Sequence, residues 1–329
     1  MPKFYSAPPK DSTVYKKYNI LRVIGHGGSS TVYLVEPHGV SNKLFALKYR
    51  HRDNNHDNYT RFLNELNLIK KIKSNNVPRY HSSYVDDNEQ YIVMEYVEGN
   101  TLRDSIDKNG YLDVRRSLLY TKQIAQVVGQ LHSLGVIHRD LKSQNIIITK
   151  NQTIKIIDLG ISINQETTRV TKTHNIICSV YYSAPELASK NIPTTNSVDV
   201  YALGIMLYEM LTAKYPFEHD DPTQIIWMHK NKKVPAISPI RNIPDSIDDL
   251  IANATNKDYR KRFKNISDFV AAIDDCLFDL NNPEDFEKLK RIKDKNKKFF
   301  NNFGLLVTIA IISLIVLGAS IFALVGIKW

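Results

Sequence analysis

Short apolar runs separated by turn residues fill the N-terminal third of the chain. Four of these runs are predicted β-strands, at residues 18–23, 32–35, 45–49 and 91–96. One predicted helix interrupts them, because apolar side chains recur there at helical spacing, at Phe62, Leu66, Ile69 and Ile72. This pattern predicts a mostly antiparallel sheet that carries one helix.

Beyond residue 101 the apolar positions change to helical spacing. The longest periodic segments cover residues 118–134 and 198–211. One hairpin interrupts them, with predicted strands at 146–149 and 153–157. A large helical part therefore follows the small β-rich part.

These two patterns predict an α+β fold with two lobes. The β-rich N-terminal lobe lies at about 18–97 and the mainly helical C-terminal lobe at about 98–280, forming one domain over 18–280. Residues 1–17 carry three prolines among polar residues and no apolar core of signal-peptide length. We expect a loose leader there.

The end of the chain has a different composition. Residues 281–304 are polar and basic, whereas residues 305–327 contain no charged side chain. At about 1.5 Å per residue, a helix over the second segment crosses a bilayer core of about 30 Å. We predict a single transmembrane helix at 305–327; the alternative is a buried core helix.

Lysine asymmetry predicts the orientation of that helix. Seven basic residues precede it, at Lys288, Lys290, Arg291, Lys293, Lys295, Lys297 and Lys298. Only Lys328 and Trp329 follow it. The positive-inside rule therefore places the domain on the cytoplasmic side of the cell membrane.

Composition narrows the function classes. The chain has 329 residues, two cysteines that lie far apart, Cys178 and Cys276, and a formal net charge of +10. Two distant cysteines favour a reducing compartment over a disulfide framework. No basic run alternates with stacking aromatics in the manner of single-strand binders, so we expect no nucleic-acid partner.

The first candidate for chemistry is glycine-rich. Residues 25–32 read Gly-His-Gly-Gly-Ser-Ser-Thr-Val and lie between two predicted strands. Glycines allow backbone amides to approach a phosphate closely. Taken alone, the segment is a weak signal, and an ordinary glycine-rich hairpin turn is the commoner explanation. A Walker loop is excluded because no Gly-Lys-Ser/Thr follows, and the following strand disfavours a Rossmann turn.

Two charged residues within the predicted N-terminal lobe form a candidate pair. Lys48 lies inside an apolar strand, where its ammonium can reach phosphates or extend to the surface. Glu65 lies on the core-facing stripe of the predicted helix, where a carboxylate needs a partner. We predict that it pairs with Lys48; the alternative is a solvated glutamate.

Residues 138–145, His-Arg-Asp-Leu-Lys-Ser-Gln-Asn, offer a carboxylate, a lysine and an amide within a short loop. That set suits orienting a hydroxyl, stabilising transferred charge and holding a metal ion. Asp158 follows the second hairpin strand and precedes Gly160, which suits a Mg²⁺ ligand or an ordinary turn. Residues 184–186, Ala-Pro-Glu, are a further candidate motif. Taken alone, they are explained by a proline-containing helix start.

In this order and on these elements, the segments together resemble the protein-kinase family, whose signature set is itself a worked example of such motifs. Within it the chain is similar to bacterial transmembrane Ser/Thr kinases of the PknB/PrkC type. Residues 91–99 resemble their hinge, and residues 170–173 resemble the paired threonines of their activation loop. The resemblance covers about 18–280.

The resemblance implies a role for each matching residue. ATP would contact Ile24, Gly25, Gly27, Val32, Ala46, Lys48, Met94, Glu95 and Val97, with Glu65 pairing Lys48. Asp140 would orient the substrate hydroxyl and Lys142 would support the γ-phosphoryl group. Asn145 and Asp158 would hold Mg²⁺, or Mn²⁺ in its place.

The resemblance also implies regulation by phosphate. Arg139 precedes the catalytic aspartate, a position that usually awaits a phosphorylated activation loop. We predict autophosphorylation at Thr171 and Thr173; a merely polar loop is the alternative. Glu186 would pair with Arg262, and Asp199 would brace the catalytic loop, which corresponds to residues 138–145.

The resemblance leaves three functional hypotheses. The first is an active, membrane-anchored kinase for Ser and Thr of protein substrates, without the extracellular sensor repeats of the family. The second is a membrane-anchored pseudokinase scaffold, and the third a small-molecule kinase. Homodimerisation in the membrane is a further expectation, since confinement raises effective concentration.

Overall fold

The computed structural model describes five stretches of the chain: 7–26, 30–51, 56–159, 180–189 and 191–282. Among these residues no helix is both long and apolar enough to cross a bilayer. The predicted transmembrane helix at 305–327, and all but the first two residues of the basic segment before it, lie outside the described residues.

A five-stranded antiparallel sheet forms the N-terminal lobe. Its strands are β1 Tyr18–His26, β2 Thr31–Pro37, β3 Phe45–His51, β4 Tyr80–Val85 and β5 Glu89–Glu95, in the spatial order β1-β2-β3-β5-β4. All four predicted strands are confirmed. Strand β4 was not predicted, because its sequence Tyr-His-Ser-Ser-Tyr-Val is largely polar and its position depends on pairing with β5.

The helix of this lobe crosses between β3 and β4 and was predicted from its spacing. It spans His56–Lys71 and is called α2. Phe62, Leu66 and Ile69 are buried as the periodicity requires. Glu65 shares their face and is 9% exposed. The helix therefore carries a buried carboxylate against the sheet.

The prediction of a loose leader is wrong for residues 12–17. A short helix, α1 Thr13–Lys17, precedes β1, and the Ser12 side chain caps it by accepting from the Val14 amide. Val14 is fully buried within the aromatic cluster of the sheet. The segment is held by burial of that side chain and by hydrogen bonds to residues far along the chain. Neither can be predicted from the local periodicity of apolar residues.

A small second sheet joins the lobes to the catalytic loop. It consists of β6 Gly99–Thr101, β7 Ile146–Thr149 and β8 Ile154–Ile156, in that spatial order. The predicted hairpin is confirmed as β7 and β8. At Gly99 any Cβ would clash with the Ile148 carbonyl oxygen, so only glycine allows β6 to approach β7 this closely.

Helices build the rest of the described chain. They are α3 Leu102–Asn109, α4 Val114–Ser133, α5 Ser197–Thr212, α6 Pro222–Asn231, α7 Asp245–Ala254 and α8 Ile266–Asn281. The two long periodic segments correspond to α4 and α5. Helix α5 is buried from Val198 to Leu211, which explains its nearly uniform apolarity.

Candidate active site

Strand β3 and helix α2 bring the first predicted pair together. Lys48 Nζ lies 2.5 Å from Glu65 Oε1 and 3.8 Å from Asp158 Oδ1, and the predicted Lys48–Glu65 ion pair is confirmed. Burial lowers the pKa of Lys48, but the carboxylates of Asp158 and Glu65 outweigh it and leave the pKa raised. The ammonium is therefore held charged where the lobes meet.

The strand register places the predicted nucleotide contacts side by side. Gly25 pairs with Val32 across β1 and β2, Val32 pairs with Lys48 across β2 and β3, and Ala46 pairs with Met94 across β3 and β5. Ile24 lies on β1, Glu95 ends β5, and Val97, which is buried, follows two residues later. Gly27 lies outside the described residues.

The catalytic loop is built around an ion pair. Lys142 Nζ lies 2.8 Å from Asp140 Oδ2, and both side chains are largely buried, at 11% and 13% exposed. The Asp140 amide donates to His138 Nδ1 at 3.3 Å. The predicted catalytic residues thus lie together, with their charges aimed at one another.

A buried carboxylate holds the backbone of this loop. Arg139 has a φ of 64°, a left-handed conformation that costs free energy for a side chain of this size. Asp199 accepts from the amides of His138 and Arg139, both at 2.9 Å. Its predicted bracing contact is therefore present. His132, which the sequence reasoning missed, donates from Nε2 to Asp199 at 2.8 Å.

Hydrogen bonds to backbone carbonyls bring together Asn145 and Asp158, the two predicted metal ligands. The Ile157 amide donates to the Asn145 carbonyl at 2.9 Å, and His138 Nε2 donates to the Asp158 carbonyl at 2.8 Å. Asn145 Nδ2 donates to the Asp140 carbonyl at 3.4 Å, which leaves its side-chain oxygen as an acceptor. A carboxylate and an amide oxygen are ligands that fit Mg²⁺.

A second buried carboxylate, Glu209, contacts the loop and, unlike Asp199, was not predicted from the sequence. Glu209 of α5 accepts from Arg103 at 2.7 Å, Ser143 at 3.0 Å and Tyr182 at 2.6 Å. Burial raises the pKa of Glu209, although these donors oppose the shift. An acidic residue inside the apolar run 198–211 is the signal that could have indicated it.

The side chain of Glu95 connects the lobes. Lys155 Nζ donates to both oxygens of Glu95, at 2.7 and 2.6 Å, and the Arg79 amide donates to the same carboxylate at 3.1 Å. Because β5 and β8 belong to different sheets, this ion pair crosses between the lobes.

Asn76, in the connection from α2 to β4, makes a second crossing. Its Nδ2 donates to the Ile154 carbonyl at 2.7 Å, and its own carbonyl accepts from the Ile156 amide at 2.8 Å. We call the contacts of Asn76, Glu95 and Lys155 the interlobe bridge. Sequence motifs gave no indication of it.

The predicted pair of Glu186 and Arg262 is also confirmed. Two nitrogens of Arg262 lie 2.6 and 2.8 Å from the Glu186 oxygens, and both side chains are almost fully buried. Pro185 begins a short 3-10 helix, so the proline-containing helix start is present as well. Thr171 and Thr173 lie outside the described residues.

The fold and this site together define a two-lobed protein kinase. The family model for the protein kinase domain matches residues 18–272 of the chain. The chain therefore belongs to the protein kinase family.

Curated relatives agree with this family. The chain is 35% identical over 260 residues to the serine/threonine-protein kinase PrkC of Bacillus subtilis. It is 31% identical over 260 residues to the probable serine/threonine-protein kinase PknB of Lactococcus lactis. Each match covers 78% of this chain, but 40% and 41% of the respective relatives. The chain spans about two fifths of the length of these relatives.

Proposed function

We propose that this chain is a protein-serine/threonine kinase that transfers the γ-phosphoryl group of ATP to Ser and Thr hydroxyls of proteins. The observation that carries the proposal is the contact of Lys48, in the N-terminal lobe, with Asp158, in the C-terminal lobe, together with the ion pair inside the catalytic loop. Lys48 lies 2.5 Å from Glu65 and 3.8 Å from Asp158. Asp140 lies 2.8 Å from Lys142.

Each side chain has a defined part in the transfer. Asp140 orients the substrate hydroxyl and accepts its proton, while Lys142 neutralises charge on the transferred group. Lys48 contacts the α- and β-phosphates and is held in place by Glu65. Positioning and charge neutralisation account for most of the catalysis in such a site.

The metal has a suitable donor set. Asn145 and Asp158 would hold Mg²⁺, or Mn²⁺ in its place, and the bound ion would neutralise phosphate charge. The hydrogen bond from the Ile157 amide to the Asn145 carbonyl supports this proposal, because it holds Asn145 beside the residue that precedes Asp158.

The test is transfer of labelled phosphate from ATP to a generic basic protein. Asp140→Asn should abolish the signal, whereas Asp275→Asn, which changes an exposed carboxylate on α8, should leave it intact. Equal signals from wild type and Asp140→Asn would refute the kinase function. Binding of ATP without any transfer by wild type would favour the pseudokinase scaffold.

We also propose autophosphorylation of the activation loop at Thr171 and Thr173. The position of Arg139 before the catalytic aspartate supports it, since an arginine there suits a phosphorylated loop. Phosphopeptide mapping of active wild type should find phosphate at these threonines. An active preparation with an unmodified loop would exclude this proposal.

Finally, we propose that residues 305–327 anchor the chain in the cell membrane as a single-pass helix, with the domain in the cytoplasm. The uncharged run and the lysines before it support this. Full-length chain should remain with membranes after a carbonate wash, and a chain ending at residue 282 should not. Identical distributions would contradict the anchor. Crosslinking of the anchored chain tests for a homodimer.

A further inference from the structure

Residues 12–18, which we call the clasp, pack on one face of the N-terminal sheet. Val14 and Tyr18 are buried in a cluster that includes Tyr33, Val35, Phe45, Leu47, Tyr49, Tyr91 and Val93. In β3 these cluster residues alternate with Ala46 and Lys48. Because successive strand side chains point to opposite faces, the clasp covers the face away from Lys48.

A single carboxylate, Glu89, fastens the clasp to β5. Ser12 Oγ donates to Glu89 Oε2 at 2.5 Å. Thr13 donates to Oε1 twice, from its hydroxyl at 2.6 Å and from its amide at 2.8 Å. Tyr49 donates to Oε2 at 3.2 Å. Thr13 thus lies in direct contact with a carboxylate that is only 4% exposed.

The charge on Glu89 is the important property of this junction. Burial raises the pKa of Glu89, but the hydrogen bonds from Ser12, Thr13 and Tyr49 outweigh it and leave the pKa lowered. The group is therefore an anion near neutral pH. A second anion on Thr13 would repel it at short range, in a place that excludes much of the screening water.

Thr13 is more accessible to solvent than Ser12, the other residue of the clasp that donates to Glu89. Its side chain is partly exposed, whereas Ser12 is 5% exposed and its hydroxyl is also used to cap α1. We propose that Thr13 is a phosphorylation site and that a phosphoryl group on its hydroxyl releases the clasp from Glu89. The proposal rests on the proposed kinase function for the source of the phosphate.

The reaction takes place between two copies of the chain, because Thr13 lies on the sheet face opposite to Lys48. The Thr13 oxygen of one copy forms a bond to the γ-phosphorus of ATP held by the other. The bond between that phosphorus and the β,γ-bridging oxygen breaks and ADP leaves. The hydroxyl proton passes to Asp140 of the acting copy.

Release of the clasp would expose Val14 and would remove the Ser12 and Thr13 donors from Glu89. Tyr49, which follows Lys48 in β3, would remain as a donor to that carboxylate. A local opening of this kind is visible to a protease before the domain unfolds. Lys16 and Lys17 lie within the clasp and Lys10 lies outside it, exposed. Trypsin therefore reports clasp release at Lys16 and Lys17, with Lys10 as internal control.

The experiment uses full-length chain with phosphothreonine incorporated at position 13. Cleavage after Lys16 and Lys17 should accelerate at least about tenfold relative to unmodified chain, while cleavage after Lys10 stays unchanged. Thr13→Val, which removes the hydroxyl without adding charge, should accelerate it much less. Equal cleavage of the phosphorylated and unmodified chains would overturn the release mechanism.

A second variant separates repulsion from lost hydrogen bonds. In Glu89→Gln the partner charge is absent, so phosphothreonine at position 13 should accelerate cleavage far less than it does beside Glu89. The same acceleration in both backgrounds would mean that the two charges do not interact, which contradicts the proposal.

The source of the phosphate is tested separately. Asp140→Asn chain, with and without Glu89→Gln, serves as acceptor for wild-type chain, ATP and Mg²⁺, and phosphopeptides are mapped. We expect phosphate at Thr13, more of it with Glu89→Gln. Phosphate in the activation loop but none at Thr13 would overturn the modification site. If no phosphate is transferred to any residue, the proposed kinase function is overturned instead. The trypsin experiment would still test clasp release, because it uses chain with phosphothreonine already incorporated.

Discussion

At the scale of single residues, two ion pairs of the described chain show how exposure to water changes what an ion pair contributes. Lys48 and Glu65 are 15% and 12% exposed and lie 2.5 Å apart, whereas Lys150 and Glu98 form a pair that is 76% and 66% exposed. The first pair fixes a charge in the cleft. The second is solvated and contributes little to stability.

Replacing Glu65 with glutamine should reduce phosphoryl transfer about 10- to 100-fold, because Lys48 would shift toward Asp158 and lose the position from which we propose that it contacts the phosphates. Steady-state kcat/KM with ATP and a protein substrate measures the loss. Glu98→Gln is the control and should retain wild-type activity. A Glu65→Gln enzyme of unchanged kcat/KM would show that the ion pair does not position Lys48.

His229 provides a prediction about pH. It is 1% exposed, its Nδ1 lies 2.8 Å from the Tyr201 hydroxyl, and Lys257 donates to the same hydroxyl. Burial, and to a lesser extent the charge of Lys257, lowers the pKa of His229 from 6.5 to about 3. The folded protein therefore holds a neutral imidazole where the unfolded chain holds a charged one.

Because the unfolded state binds the proton first, this histidine lowers stability as pH falls from 6.5 toward 3. Between about pH 7.5 and pH 5 its contribution should decrease by about 2 kcal/mol. Urea unfolding of wild type and His229→Gln measures it: the stability difference between them should shrink by that amount on acidification. A difference independent of pH would show that His229 titrates normally.

At the scale of elements, helix packing depends on small residues at particular crossings. A Cβ on Gly204 of α5 would lie 2.8 Å from Thr255 Cγ2 and 2.9 Å from Ala254 Cβ, both at the end of α7. A Cβ on Gly129 of α4 would lie 3.3 Å from Ile266. Both glycines are inside helices, so alanine gains about 1 kcal/mol of helix propensity at either one.

Gly204→Ala should therefore destabilise the protein by about 1–3 kcal/mol, since overpacking outweighs propensity there. Gly129→Ala should be close to neutral, because Ile266 needs to move by only a few tenths of an ångström. Urea unfolding midpoints compare the two. Equal midpoints would mean that α7 yields to the extra methyl group without cost.

Elements also show how far the sequence predicts this fold. Strands such as β3 and helices such as α4 follow from apolar periodicity, and the charged site follows from motif spacing. The short helix α1 and strand β4 do not, because the burial of Val14 and the pairing of β4 with β5 are tertiary contacts. Residues such as Asn76 and Lys155 have ordinary local sequence, and only the folded chain brings them to their partners.

At the scale of the whole described domain, the interlobe bridge determines how tightly the lobes are joined. Lys155 is 12% exposed and Glu95 35% exposed, so their pair is more shielded from water than a surface pair. Charge-assisted hydrogen bonds of this kind contribute about 1–3 kcal/mol.

Lys155→Met should lower the free energy of unfolding by that amount and speed amide hydrogen exchange in residues 72–79 and in β8, because the bridge loses its charged half. Lys150→Met, from the exposed pair, should change neither quantity. Exchange in the bridge segments that matched wild type would indicate that Asn76 alone carries the connection.

The bridge has a mechanical consequence. The lobes are linked by the chain itself, over residues 96–98, and by Asn76 and Lys155 at β8. Both connections adjoin Glu95, the last residue of β5, whereas the contact of Lys48 with Asp158 lies apart from them and joins the lobes at 3.8 Å. The grouped connections are the harder to separate, because they combine the continuous chain with several short hydrogen bonds. We expect the lobes to rotate about the bridge and the distance from Lys48 to Asp158 to lengthen as the cleft opens. Admission of ATP and departure of ADP would then both follow this one distance.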